Sequence, residues 1–75
     1  MQDLLDLIEE IEQGQYAKLL AFARKIRPNL TEEDLLQPND YPELEHNPEF
    51  RHEEGVLEGV RAVQAAMRNW LRINA

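Results

Sequence analysis

The sequence predicts an all-α fold: an antiparallel hairpin of two long helices with a short helix in the connection between them. Two observations lead to this fold class. Apolar residues recur at helical spacing over 3–26 and again over 48–73, and acidic residues precede basic ones along both segments, as the helix dipole favours. Because 75 residues supply only one core, 1–75 is expected to form a single helical domain.

The first helix is predicted over 3–26. Leu4 and Phe22 fall at the same helical angle, so one apolar stripe runs along the whole segment. The phase of this stripe continues through Gly14, which favours one long helix, and a helix broken at Gly14 stays open as the alternative. Pro28 closes the segment.

The short helix is predicted over 32–37. Thr31 is its expected N-cap, because three acidic residues fill the following turn. Leu30 and Leu35 stand at the two positions of a hydrophobic staple, which fixes the direction in which the chain enters a helix. Pro38 is expected to end this helix after about two turns.

The last helix is predicted over 48–73, with Asn47 as its N-cap and Pro48 as its first residue. Its apolar arc is wide, with bulky side chains at the centre and small residues along one flank. The residues of the centre are Val56, Val60, Val63, Met67 and Trp70. The residues of the small flank are Gly55, Gly59, Ala62 and Ala66.

The small flank requires an explanation, because a glycine inside a helix costs about 1 kcal/mol relative to alanine. Residues this small allow a second backbone to approach closely. That backbone belongs either to the first helix or to a second copy of the chain. The sequence leaves both contacts open.

The composition excludes several classes of function. With a formal net charge of −7, the surface repels phosphate backbones and anionic membranes, so neither nucleic acid nor a membrane is expected as a partner. No apolar run is long enough to span a bilayer, and the N-terminal residues are acidic where a signal peptide is basic. A cytoplasmic location is therefore expected.

The chain offers little for catalysis. It contains no cysteine and no serine, and Thr31 is its only threonine. Its three glycines lie within helical patterns rather than in a phosphate-binding loop. We therefore predict a protein that is not an enzyme and that uses no cofactor.

Self-association is expected from the size of the chain and from the width of its apolar arcs. A single core supplies little stability below about 80 residues, and without cysteine no disulfide can add to it. One neighbouring helix also shields only part of an arc that spans more than half of a helix. We therefore expect two hairpins to pair as a homodimer in a four-helix bundle.

The acidic residues of the connection form a candidate partner surface. Such a surface suits another protein with a basic surface, because complementary charge steers association. The same acids also serve simply to keep a small domain soluble, and the sequence does not separate the two roles. The residues concerned are Glu32, Glu33, Asp34, Asp40, Glu43 and Glu45.

One short motif indicates metal chemistry instead. Glu49 and His52 are three residues apart, the spacing at which di-iron bundles place ligands on one helix face, and Glu53 is adjacent. However, acids in a first turn are favoured by the dipole in any case, and Lys25 is expected nearby, where it repels a cation. No metal is therefore expected, and a metal-binding carboxylate/histidine bundle is the alternative function. The main prediction is a small, acidic, non-enzymatic helical module for protein–protein interaction that self-associates.

Overall fold

The computed structural model describes residues 2–74, so residues 1 and 75 of the predicted domain lie outside the described part. The prediction of an all-helical chain with two long helices packed against each other is confirmed. In chain order the elements are α1 (Gln2–Ile26), α2 (Glu32–Leu35), a 3-10 helix (Pro38–Asp40), α3 (Pro42–Glu45) and α4 (Pro48–Asn74). Within 2–74, no helix is both long and apolar enough to span a membrane.

The two long helices run antiparallel. Gln15 of α1 contacts Glu53 of α4, whereas Glu12, one turn earlier, contacts Arg61, two turns later. Helix α1 is continuous through Gly14, as the favoured interpretation of its sequence predicts. The hairpin therefore extends without a break over a length of 44 Å.

The connection begins with a capped helix, as predicted. Thr31 Oγ1 accepts a hydrogen bond from the backbone of Asp34 at 3.2 Å, and Asp34 Oδ2 accepts one from the backbone of Thr31 at 3.0 Å. Helix α2 is shorter than the predicted 32–37. The N–H groups of Leu36 and Gln37 bond to carbonyls three residues back, so the chain leaves the α-helix before it reaches Pro38.

The core lies in the half of the hairpin that is next to the connection. Leu44 and Phe50 are fully buried there, where α3 and the start of α4 meet α1. The other buried apolar residues are Leu19, Ala23, Leu30, Leu35 and Leu57. The other half of the hairpin, which holds the start of α1 and the end of α4, is two helices with only each other for cover.

Helix α4 packs against α1 along a different stripe from the predicted centre of its arc. The buried residues of α4 are Phe50, Leu57 and Gln64, at seven-residue intervals. Of the predicted centre, Val60 and Met67 are half-buried, and Val56, Val63 and Trp70 are exposed. The apolar arc is wider than one helix can cover, and α1 lies against its edge rather than its middle.

The small flank of α4 does not contact α1. A Cβ atom built on Gly55 or Gly59 meets nothing within 4 Å, and Ala62 and Ala66 are exposed. Of the two contacts that the sequence leaves open, the intrachain one is therefore not made. Gly14 of α1 is equally free of neighbours.

A candidate interaction face

Ion pairs mark the two sides of the hairpin. On one side, Lys18 Nζ lies 3.3 Å from a carboxylate oxygen of Glu53. On the opposite side, Arg61 Nε lies 3.1 Å from Glu12 Oε1, and the Arg61 guanidinium lies over the Tyr16 ring at 5.8 Å. These contacts establish which side chains of α1 and α4 share a side.

The connection covers the side that carries Arg61. Tyr16 donates a hydrogen bond to Glu32 at 3.2 Å, which ties α1 to α2. Leu35 is buried on this side and lines a small hollow together with Tyr16 and Leu57. Arg24 Nε donates to the Leu30 carbonyl at 2.9 Å and holds the chain against α1 as it turns back.

Within residues 2–74, no part of the connection covers the opposite side, and we call this side the open face. Several of its large apolar side chains are half exposed: Leu4 by 51%, Leu7 by 52%, Ile11 by 47%, Val56 by 38%, Val63 by 52% and Trp70 by 52%. Phe22, Val60 and Met67 are partly buried along the same stripes. Those of α4, together with Leu4, Leu7 and Ile11 of α1, recur at intervals of three or four residues, and Phe22 follows Ile11 after about three helical turns, so they form one band along each helix.

A cleft of about 610 Å³ lies at the end of the open face next to the connection. Because residues of both helices line it, the stripes of α1 and α4 that form the open face lie on the same side of the hairpin. The cleft is lined by Lys18, Ala21, Phe22, Lys25, Pro48, Glu49, His52 and Glu53. Its walls are mainly apolar, and two lysines stand at its edge.

Glu53 is held in place as an ionised carboxylate at the inner edge of the cleft. Gln15 Nε2 donates to Glu53 Oε2 at 2.6 Å, and Lys18 pairs with the other oxygen. The Gln15 hydrogen bond and then the Lys18 contact lower the pKa of Glu53, and they outweigh the burial that opposes them. This carboxylate therefore braces the two helices.

The predicted metal ligands are not gathered into a site within the chain. Glu49 and His52 are exposed at the cleft, whereas Glu53 is engaged by Gln15 and Lys18. Across residues 2–74, no three His, Cys, Asp or Glu side chains come together in a group that could hold a metal ion. The lysines at the cleft edge further disfavour a cation there.

Half of the predicted acidic partner surface is engaged within the connection. Asp34 forms the capping box and accepts a hydrogen bond from Tyr41 at 2.8 Å, and the bonds from Thr31 and Tyr41 lower the pKa of Asp34. Glu43 accepts from Arg27 at 2.6 Å, which lowers the pKa of Glu43. Glu32 accepts from Tyr16, as described above.

The remaining acids of that surface are Glu33, Asp40 and Glu45. One large apolar side chain, Leu36, is exposed beside them, by 77%. A single exposed leucine is ordinary for a soluble protein and marks no contact site. The open face is therefore the stronger candidate surface.

The contact residues predicted from the sequence all lie on α4 and do not include the part of the open face that α1 forms. Leu4, Leu7 and Ile11 belong to the apolar stripe of α1, and the width of that stripe indicates that one neighbouring helix leaves part of it uncovered, but not which part. Lys18 and Lys25 were not predicted as part of a site. Their signal is weak, since basic residues late in a helix are expected from the dipole alone.

The fold and the open face together define an acidic α-helical hairpin with one apolar side uncovered. Comparison of the chain with models of known protein families, with curated proteins and with solved structures gave no match.

Proposed function

We propose that this protein is a small, acidic, non-enzymatic interaction module of the cytoplasm, which self-associates through its open face into a two-fold four-helix bundle. The observation that carries the proposal is the asymmetry of the hairpin. The connection covers one side, whereas the other leaves six large apolar side chains 38–52% exposed in two parallel bands. Contiguous exposed apolar surface of this kind marks a contact site.

The size of the open face also supports the proposal. The hairpin measures 44 × 20 × 17 Å along its principal axes. Its broad side is comparable in area to the roughly 800 Å² that each partner contributes to a stable protein–protein interface. The small core gives a further reason, because a chain of this length gains stability from burying more apolar surface.

Light scattering after size exclusion, over a range of protein concentrations, tests the proposal. The wild-type chain is expected at twice its 8.8 kDa monomer mass. Val63→Asp, on the open face, is expected to give a folded monomer. Leu36→Asp is the matched control, because Leu36 is even more exposed but lies outside that face.

A wild-type monomer at the highest concentration overturns the proposal. Equal loss of the dimer in both variants overturns the assignment of the open face. The same runs with a chelator test the metal-binding alternative, because a dimer held by Glu49 and His52 loses mass when metal is removed. We expect a dimer that is unaffected by the chelator.

A further inference from the structure

Lysines of α1 lie at one end of the open face, and acidic residues of α1 lie towards the other end. Lys18 and Lys25 line the cleft, and Asp3 and Glu10 are exposed in the other half of α1. Asp3, Glu10 and Lys25 have no ion pair with any other residue of 2–74. These charges therefore remain available for contact with another molecule.

The positions of these charges are symmetric about Gly14, and the charges at matching positions have opposite signs. Asp3 and Lys25 each stand eleven residues from Gly14, and Glu10 and Lys18 each stand four residues from it. A helix with this pattern is complementary to a second copy of itself turned end to end, with the two-fold axis at the midpoint. Gly14 is exposed, and no atom of the described chain would contact a Cβ at that position.

We propose that the occupant of the open face is a second copy of this chain in which α1 packs antiparallel against α1, with the two-fold axis next to Gly14. This inference rests on the self-association proposed above and specifies its geometry. Lys25 then pairs with Asp3 of the second copy, and Lys18, which also pairs with Glu53 of its own chain, lies against Glu10 of the second copy. Symmetry repeats both pairs, so four charge contacts border the apolar band.

In the same register, a side chain of the second copy lies at the cleft. Ala21 and Leu7 are also equidistant from Gly14, so Leu7 of the second copy faces Ala21 at the cleft wall. A leucine opposite an alanine fills the space that the small side chain leaves. The start of α1 therefore offers leucines to the apolar walls and acids to the lysines at the cleft edge.

The other two-fold arrangement forms fewer pairs of opposite charge between the two copies. If the axis runs along the helices, α1 faces α4 of the second copy and both connections lie at one end. Lys25 can then approach Glu49 of the second copy. However, Asp3 and Glu10 face the second half of α4, whose open-face residues Val63, Met67 and Trp70 offer no positive charge. The antiparallel pairing of α1 with α1 is favoured because it gives Asp3, Glu10 and Lys25 partners of opposite charge.

Charge reversal tests the register. The variant K25E places acid against Asp3 of the second copy in the antiparallel dimer and leaves the Lys18–Glu53 pair intact, and its dissociation constant is expected to rise about fivefold. The double variant D3K/K25E exchanges the two charges and restores complementarity, so its dissociation constant is expected to return close to that of the wild type. R68E is the matched control, because it changes the net charge equally and Arg68 lies seven residues after Arg61, on the side opposite the open face.

Engineered cysteines give a second readout, which is clean because the chain has no cysteine of its own. Under mild oxidation, L7C mixed with A21C is expected to give a crosslinked heterodimer, and neither variant alone should crosslink efficiently. G14C alone is expected to crosslink to itself. Circular dichroism of each variant before mixing shows that the helices are intact.

The outcomes separate this inference from the proposal on which it rests. A wild-type monomer overturns both. If the wild type is a dimer but D3K/K25E does not recover its affinity, or L7C and A21C do not join, the antiparallel register is overturned and self-association stands. Recovery of affinity by D3K/K25E together with the L7C–A21C crosslink supports the register, because the alternative arrangement predicts neither.

Discussion

One amide joins the middle of α1 to the first turns of α4: Gln15 Nε2 donates to both the carboxylate and the backbone carbonyl of Glu53, at 2.6 and 3.1 Å. These two hydrogen bonds to one residue fix the position of α4 along the axis of α1. It also places Glu53 beside Lys18 and sets the inner edge of the cleft. The contact thus links the register of the hairpin to the shape of the open face.

The first prediction concerns the free energy of unfolding at low pH. Because the pKa of Glu53 is lowered in the folded chain, the unfolded chain binds a proton more readily, and stability increases with pH across this range. The contribution of Glu53 is complete above the ordinary glutamate pKa of 4.5 and is lost as pH falls through the lower folded value. Glu43 acts in the same direction through Arg27.

Denaturant unfolding at several pH values measures this effect. The wild type is expected to lose stability below about pH 4.5, and Glu53→Gln is expected to lose less over the same range. Glu33→Gln is the control, since Glu33 is exposed and its side chain makes no hydrogen bond or ion pair among the described residues. If Glu53→Gln and the wild type show equal slopes, the carboxylate does not brace the helices.

The second prediction concerns the core. Leu44 is fully buried between the connection and the long helices, so Leu44→Ala leaves a cavity and is expected to cost about 2–5 kcal/mol. For a chain this small, such a loss approaches the total free energy of unfolding. Leu36→Ala, at an exposed position, is expected to change stability by less than about 0.5 kcal/mol. Comparable losses in chemical denaturation would contradict the placement of the core.

The third prediction concerns the cap of α2. Thr31→Ala removes the hydroxyl that accepts from the Asp34 backbone and is expected to cost about 0.5–2 kcal/mol in the free energy of unfolding. Thr31→Ser retains the acceptor and should stay close to the wild type. A serine variant as weak as the alanine variant would assign the loss to the threonine methyl group rather than to the cap.

The sequence was sufficient to predict both long helices and the Thr31 cap, because these depend on local signals: periodicity, capping residues and proline. It was insufficient to predict which stripe of α4 faces α1. Two series of residues, each with a spacing of seven, lie side by side on this helix. The series Val56, Val63, Trp70 is entirely apolar, whereas the series Phe50, Leu57 is continued by Gln64.

The purely apolar series is the more hydrophobic of the two, and the sequence therefore indicated it as the centre of the buried arc. The structure buries the other series, with Gln64 only 8% exposed. The choice depends on which side the connection covers, and that is set by long-range contacts such as the buried Leu35 and the Tyr16–Glu32 hydrogen bond. No local pattern encodes those contacts.

The fourth prediction concerns the small flank of α4. Gly59→Ala is expected to raise the free energy of unfolding of the dilute monomer by about 0.5–1 kcal/mol, because alanine is the better helix former and the added Cβ meets nothing within 4 Å. Thermal or denaturant unfolding at low concentration measures this gain. A loss of stability there would show a close neighbour within the chain.

The same variant, measured at high concentration, tests whether the small flank contributes to self-association. If a second backbone lies close to Gly59, the added methyl group weakens the dimer even as it stabilises the monomer. Gly55→Ala, one turn earlier on the same flank, is the companion variant. Stabilisation of the monomer with unchanged dimerisation in both would place the flank outside the interface.

The last prediction uses the only tryptophan of the chain. Trp70 belongs to the open face and is 52% exposed in the single chain, so its indole contacts water in the monomer. If the open faces of two copies meet, the ring loses that water, and its emission maximum is expected to move to shorter wavelength as concentration rises. The midpoint of the shift should coincide with the monomer–dimer transition seen by light scattering. Val63→Asp should hold the emission at the monomer value at every concentration, whereas Leu36→Asp should follow the wild type. A wild-type dimer with unshifted emission would mean that self-association uses another surface.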